Sequence, residues 1–241
     1  MDLSERQISV IKSIVEEFTT TGEPVGSQTL DNKYRLGVSS ATIRNEMADL
    51  VAKGYLVKPH ASAGRIPTAQ AIRFYVSELL KERDLSVAEE VSLKERVWDF
   101  RNDQEALLRE AVRVLAERTK SLSVAAIDSG YLYHAGYANL LNCSEFYDMG
   151  LFRHVLALLD EQQRVCELFS RAMGQDTVHL LVGDELGETD FEPVSVVFAD
   201  IQINGRRGSL GIIGPSRQHY AQNIPMVRYL ATLINQFAQT V

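Results

Sequence analysis

The sequence predicts an α+β chain in three parts, and three observations predict it. Apolar residues recur at helical spacing from Leu3 to Leu50, and two short strand-like runs follow around a Pro- and Gly-rich turn. A charged, breaker-poor stretch from Ser86 to Lys120 keeps Val87, Val91, Trp98, Leu108, Val112 and Leu115 at three-to-four spacing. Beyond it short apolar runs alternate with helical patterns, and Asn204-Gly205 joins the clearest pair as the favoured two-residue hairpin turn. The expected division is an N-terminal domain over residues 1–80, a helical linker over 81–120 and a second domain over 121–241.

The first helix is signalled by Ser4-Glu5-Arg6-Gln7, a capping box, with Leu3 and Ile8 spaced as a hydrophobic staple and Ile8, Ile11, Val15 and Phe18 as the buried stripe. It should stop near Gly22. Ser27 can cap a second short helix carrying Leu30 and Tyr34, and Leu36-Gly37-Val38 turns the chain into a third. There Ile43, Met47 and Leu50 define the buried face, which leaves Thr42, Arg44 and Asn45 outward, and Gly54 ends the helix. Tyr55 to Lys58 is strand-like, Pro59 to Gly64 turns, and Arg65-Ile66-Pro67 returns, with His60, Ser62 and Arg65 near the tip. Three helices and a two-stranded wing make a winged helix-turn-helix.

With 241 residues, 45% of them hydrophobic, the chain can bury a sizeable core and has room for a second domain. Its net charge of -7 argues against an overall basic coat, yet the charge is unevenly spread. Between residues 33 and 73 stand seven basic residues (Lys33, Arg35, Arg44, Lys53, Lys58, Arg65, Arg73) and two acidic ones (Glu46, Asp49). That excess falls on the third helix and the wing, where phosphate contacts would be made; a merely solvated face is the plainer alternative. Cys143 and Cys166 lack neighbours at metal-ligand spacing and read as reduced core thiols. The N-terminus has no signal-peptide pattern and no apolar run approaches a membrane span, so a cytoplasmic, soluble protein is expected.

Pro67-Thr68 restarts helix, with Ile72, Tyr75, Val76 and Leu79 on one face, before a charged boundary from Lys81 to Asp84. Ser86 to Lys120 reads as a long connecting helix with room for a break near Asn102-Asp103; Arg101, Gln104 and Glu105 interrupt any coiled-coil seam. Leu122 to Ile127, Tyr131 to His134 and Val178 to Val182 read as strands, Phe146 to Met173 as a helical region, Ser195 to Ile203 and Arg207 to Ile213 as a hairpin, and Ile224 to Phe237 as a closing helix.

Three strings then stand together: Thr21-Gly22-Glu23-Pro24-Val25-Gly26-Ser27, Ser39 to Leu50, and Ser62-Ala63-Gly64-Arg65-Ile66-Pro67-Thr68. In order and spacing they resemble the N-terminal signature of the heat-inducible transcription repressor HrcA family. Gly136-Tyr137-Ala138-Asn139-Leu140-Leu141-Asn142, Ser195-Val196-Val197 and Gly208 to Pro215 resemble its C-terminal part. The family generally passes from a helix like Glu105 to Lys120 through several strands and an inserted dimerising domain to a stretch like Tyr131 to Asn142. Here barely ten residues intervene, so the resemblance implies a short variant with an abbreviated GAF-like regulatory domain.

The resemblance further implies repression of chaperone operons by a homodimer bound to an inverted repeat in double-stranded DNA, with the GroEL chaperonin promoting the active form. Reading two half-sites also asks for two recognition helices on physical grounds. Arg44 is placed to bond guanine bidentately and Asn45 adenine. Ser40, Thr42, Lys58, Ser62 and Arg65 would hold phosphate oxygens or a groove edge, and His60 is a wing contact or a turn filler. The alternatives are a surface ion pair for Arg44 and a local backbone bond for Asn45. A GAF-like domain also admits control by a small ligand.

An enzyme is disfavoured, and no cofactor or metal is expected. Asp184, Glu185, Glu188 and Asp190 lack the spacing and turn glycine of a calcium loop, so they read as a solvated loop. His134, His154 and His179 stand beside no nucleophile motif, and Gly205-Arg206-Arg207-Gly208 opens no helix that could cradle phosphate.

Overall fold

Two units, Met1–Lys81 and Glu82–Val241, make up the α+β chain in the computed structural model, which describes residues 3–128, 130–172, 177–187 and 189–239. In the first unit, α1 (Glu5–Thr21), α2 (Ser27–Tyr34) and α3 (Ser40–Ala52) precede a two-stranded antiparallel hairpin, β1 (Leu56–Val57) and β2 (Ile66–Pro67), and then α4 (Ala69–Phe74). The capping box forms: Ser4 Oγ accepts from the Gln7 amide at 3.2 Å and Gln7 Oε1 accepts from the Ser4 amide at 3.3 Å. Gly22 closes α1 at φ 71°, where a side chain would be strained.

The buried stripe of α1 is rotated slightly from the expected one. Val10, Ile11, Ile14 and Val15 are fully buried, whereas Ile8 and Phe18 are only half-buried, because α3 and the hairpin close on the 10/14 side. Ser27 does not cap α2; Gly26 occupies that position with no side-chain bond, and Ser27 is buried as the first helical residue. A triad then locks α2 to α1. Glu17 accepts from Lys33 Nζ at 2.6 Å and from the Tyr34 hydroxyl at 2.9 Å. The Lys33 bond, aided by Tyr34, holds the Glu17 carboxyl below the usual carboxylate range, while burial and Glu17 push the Tyr34 hydroxyl upward.

The second unit is built on a five-stranded antiparallel sheet in the order β4-β3-β7-β6-β5, from β3 (Leu122–Ile127), β4 (Tyr131–Ala135), β5 (His179–Val182), β6 (Val194–Ile203) and β7 (Arg206–Pro215). The β6–β7 hairpin turns at Asn204-Gly205 with φ of 49° and 74°, the pair of positive values that a type I′ turn demands. On one face Leu122, Val124, Ala126, Val196, Phe198 and Ile213 meet α7 (Met149–Asp160) and α8 (Gln162–Ser170). On the other, α6 (Gln104–Thr119) and α9 (Tyr220–Gln239) lie against the sheet, so β3 is buried at all six positions. Covering both faces explains why β3 reads as a continuous apolar run rather than an alternation.

The connecting stretch forms two helices, α5 (Val87–Trp98) and α6, split at the Asn102-Asp103 position where the sequence left room for a break, and both lie within the second unit. The break falls where Asp103 Oδ1 caps α6 by accepting from the Ala106 amide at 3.1 Å, and Arg96 ties the helices back together through Glu110 at 2.7 Å. The helical region expected from Phe146 to Met173 is an interrupted one, α7 and α8, with Met173 outside the described residues. The closing helix starts four residues earlier than the sequence suggests. Pro225 lies inside α9 and cannot donate to the Ala221 carbonyl, but the Arg83 amide takes that carbonyl at 3.0 Å. A tertiary hydrogen bond thus satisfies the carbonyl that Pro225 leaves open.

Candidate nucleic-acid interface

Ser39 caps α3: its Oγ accepts from the Thr42 amide at 3.3 Å and lies 3.1 Å from Thr42 Oγ1. Ile43, Met47 and Leu50 are buried, and this fixes the rotation of the helix. Arg44 and Asn45 consequently point to solvent, with Ser40 and Thr42 half-buried beside them. Among the described residues, neither Arg44 nor Asn45 has a side-chain hydrogen bond or ion pair, so neither the ion pair nor the backbone bond weighed for them forms. The acid two residues on from Arg44 is occupied, since Glu46 accepts from Arg6 at 3.1 Å. The helix ends in a paired closure, the Gly54 amide donating to Val51 O at 3.1 Å and the Tyr55 amide to Leu50 O at 3.0 Å, with Gly54 at φ 82°.

Lys58, His60 and Ser62 are exposed on the hairpin. At its tip the Ala63 amide donates to His60 O at 3.0 Å, and Ser62 Oγ lies 3.2 Å from His60 Nδ1, so the two side chains engage each other. Arg65 is placed differently from the other candidates. It is half-buried, its Nη1 turns back to the Ala63 and Gly64 carbonyls at 3.4 and 3.3 Å, and its Nε is buried without a partner.

One contact had no counterpart in the sequence reading. The backbones of Val25 and Arg65 exchange two hydrogen bonds, each 2.8 Å, so the α1–α2 connection adds a bridge to the hairpin. Gly64 permits it: a Cβ there would meet the Val25 carbonyl oxygen at 2.4 Å and the Pro24 oxygen at 2.8 Å. In sequence Gly64 is accounted for by the turn from Pro59 to Gly64, so it gives no separate sign of this bridge. Thr68 then fastens the far end, donating from Oγ1 to Gly54 O at 2.7 Å while capping α4 through the Ala71 amide at 3.3 Å. Chemically, this surface is a row of donors (Arg44, Asn45, Lys58) on one braced helix and one braced hairpin, suited to acceptors and negative charge.

The other acidic and histidine candidates lie in the second unit. Glu185 Oε2 accepts from the Val182 amide at 2.8 Å, and His154 Nδ1 lies 2.9 Å from Asp190; Glu188 is outside the described residues. His134 is exposed, and His179 is buried with its ring 5.1 Å from that of Phe198. Cys143 and Cys166 are free thiols, and burial pushes both upward in pKa. A cavity of about 730 Å³ opens in the second unit, lined mainly by polar groups including Asp128, Asp200, Arg207 and Asn235. Among the described residues no helix is long and apolar enough to cross a membrane.

Fold and surface together define an α+β protein that presents a helix and a basic hairpin from a small N-terminal unit. A family model described as the HrcA protein C terminal domain matches residues 47–224, and the chain belongs to the HrcA family. It is 25% identical over 342 aligned positions to the heat-inducible transcription repressor HrcA of Pelotomaculum thermopropionicum, covering 100% of this chain and 98% of that one. It is 45% identical over 127 residues to the protein of that name from Acetivibrio thermocellus, covering 53% and 36% of the two chains. Both chains in the first comparison are covered almost end to end, so about a hundred of the 342 positions face no residue among the 241 here: this is a short member. A crystal structure described as a hypothetical protein at 2.2 Å resolution shares the fold, with a TM-score of 0.79, 19% identity and 99% of each chain covered.

Proposed function

We propose that this chain is a DNA-binding transcription repressor of heat-shock genes, reading its operator with Arg44 and Asn45. One observation carries the reading: both side chains stand outward and unpartnered on a capped helix whose opposite face is locked into a core. In this proposal the first unit is a winged helix-turn-helix. α3 enters the major groove, where Arg44 bonds a guanine edge and Asn45 an adenine edge. Ser40, Thr42, Lys58, His60 and Ser62 hold the phosphate backbone, and Arg65 reaches a groove edge only by leaving its own backbone carbonyls.

The second unit serves as an abbreviated GAF-like regulatory domain, and two copies of the chain read an inverted repeat in the cytoplasm under control of the GroEL chaperonin. The polar lining of the cavity gives little support to control by a small ligand, since pockets for such ligands are mostly apolar with a few polar anchors. The decisive experiment is a gel-shift titration of the chain on a duplex carrying the inverted repeat of a chaperone operon, against a scrambled duplex at the same salt, with and without GroEL. A specific shift, strengthened by GroEL, is expected; equal affinity for both duplexes in both conditions overturns the proposal.

A further inference from the structure

Half of the large apolar side chains exposed among the described residues fall in one short stretch: Tyr131 (45%), Tyr137 (54%), Leu141 (45%), Tyr147 (67%) and Met149 (62%). Most of that stretch is also uncharged. From Gly130 to Ser144 there is no Asp, Glu, Lys or Arg, in a chain that is 24% charged. Depletion of charge with enrichment of tyrosine marks the core of a protein interface rather than ordinary surface. The stretch begins on β4, an edge of the sheet: β3 pairs it on one side, and no described strand pairs it on the other. Natural edge strands are usually guarded by Lys, Pro or a bulge. β4 reads Tyr-Leu-Tyr-His-Ala, and its register with β3 runs unbroken over five pairs. The opposite edge, β5, is by contrast mostly buried.

We propose that β4 pairs antiparallel with β4 of a second copy of this chain, joining two five-stranded sheets about a two-fold axis through Tyr133. The occupant is a second copy because the strand is complementary to itself. The sheet is antiparallel throughout, and a dyad at Tyr133 sets Tyr131 opposite Ala135 and Leu132 opposite His134 without bringing like charges together. Tyr131 and Tyr133 already stack on one face, with ring centroids 6.4 Å apart and planes within 6°, so the dyad gathers four rings. The inference rests on the reading above that the chain acts as a pair, and it supplies the interface.

Sedimentation of the full chain over a micromolar range, with disulfide trapping, tests it. Paired residues at the dyad have Cα atoms about 5 Å apart, within disulfide reach, whereas two copies of residue 131 lie more than about 12 Å apart. Mild oxidation should therefore cross-link Tyr133→Cys into dimers and leave Tyr131→Cys uncross-linked. Tyr131→Lys should raise the dimer dissociation constant at least about tenfold while leaving the circular dichroism spectrum of the folded chain unchanged. A wild-type dimer that Tyr131→Lys leaves intact, with no link at 133, overturns the edge pairing and keeps the dimer reading. A wild-type chain that is monomeric throughout overturns both. If Tyr133→Cys fails to fold by circular dichroism, the sedimentation of Tyr131→Lys decides alone.

Discussion

Arg44 and Lys58 are both exposed cations of the first unit, and the proposed function gives them different work. Arg44 stands on a rigid helix with its five donors in a fixed fork, which suits a base edge; Lys58 is a point charge on a hairpin, which suits phosphate. Arg44→Ala is therefore expected to cost roughly 1–3 kcal/mol on the operator and much less on scrambled DNA. Lys58→Ala should weaken both alike and reduce the salt slope of binding by about one. Titrations at several salt concentrations separate the two. Gly64 offers a test of the hairpin brace that needs no DNA. Gly64→Ala drives a Cβ into the Val25 backbone and should destabilise the first unit by about 1–3 kcal/mol, seen as a lower melting temperature. That Arg44 faces outward was legible in the sequence, because Ile43 and Met47 fix the helix rotation. That the Arg65 backbone pairs with Val25, forty residues earlier in the chain, was not.

Among elements, the α1–α2 junction carries a pH dependence. The Glu17 carboxyl has its pKa lowered in the folded state by Lys33 and Tyr34, so the unfolded chain binds its proton more readily. The stabilisation is present above the ordinary value of 4.5 and is lost as pH falls through the lower folded value. Thermal melts between pH 3 and 6 should show the wild type losing stability in that window, whereas Glu17→Gln, already without the charge, should show a flatter profile there. An unchanged slope in the variant refutes the assignment. The same scale shows where local signals mislead. The capping box of α1, the glycine closure of α3 and the Asn204-Gly205 turn were legible because each is decided within about six residues. The start of α9 was not. Pro225 argues locally for a break, and the carbonyl it leaves open finds its partner in the Arg83 amide, far away in the chain.

At the scale of the molecule, the first unit has its own core, built from Ile11, Ile14, Leu30, Ile43, Leu50 and Leu56, which are at most 2% exposed. A fragment ending at Lys81 should accordingly melt cooperatively on its own and bind a half-site more weakly than the whole chain binds the inverted repeat; calorimetry and gel shift check the two halves of that expectation. A non-cooperative fragment would show that the core needs the rest of the chain.

By itself, the sequence determined the α+β class, the outward face of α3, the order of the strands along the chain and the family resemblance that alignment with relatives bears out. These follow from periodicities of 2 and 3.6 residues, from turn chemistry and from strings of adjacent residues, all of them short-range. Tertiary structure alone decided the sheet order β4-β3-β7-β6-β5, the bridge between Val25 and Arg65, the backbone partner for the carbonyl that Pro225 leaves open and the edge position of β4. Each depends on backbone groups far apart in the chain meeting, or failing to meet, a hydrogen-bond partner, and residue spacing holds no record of that pairing.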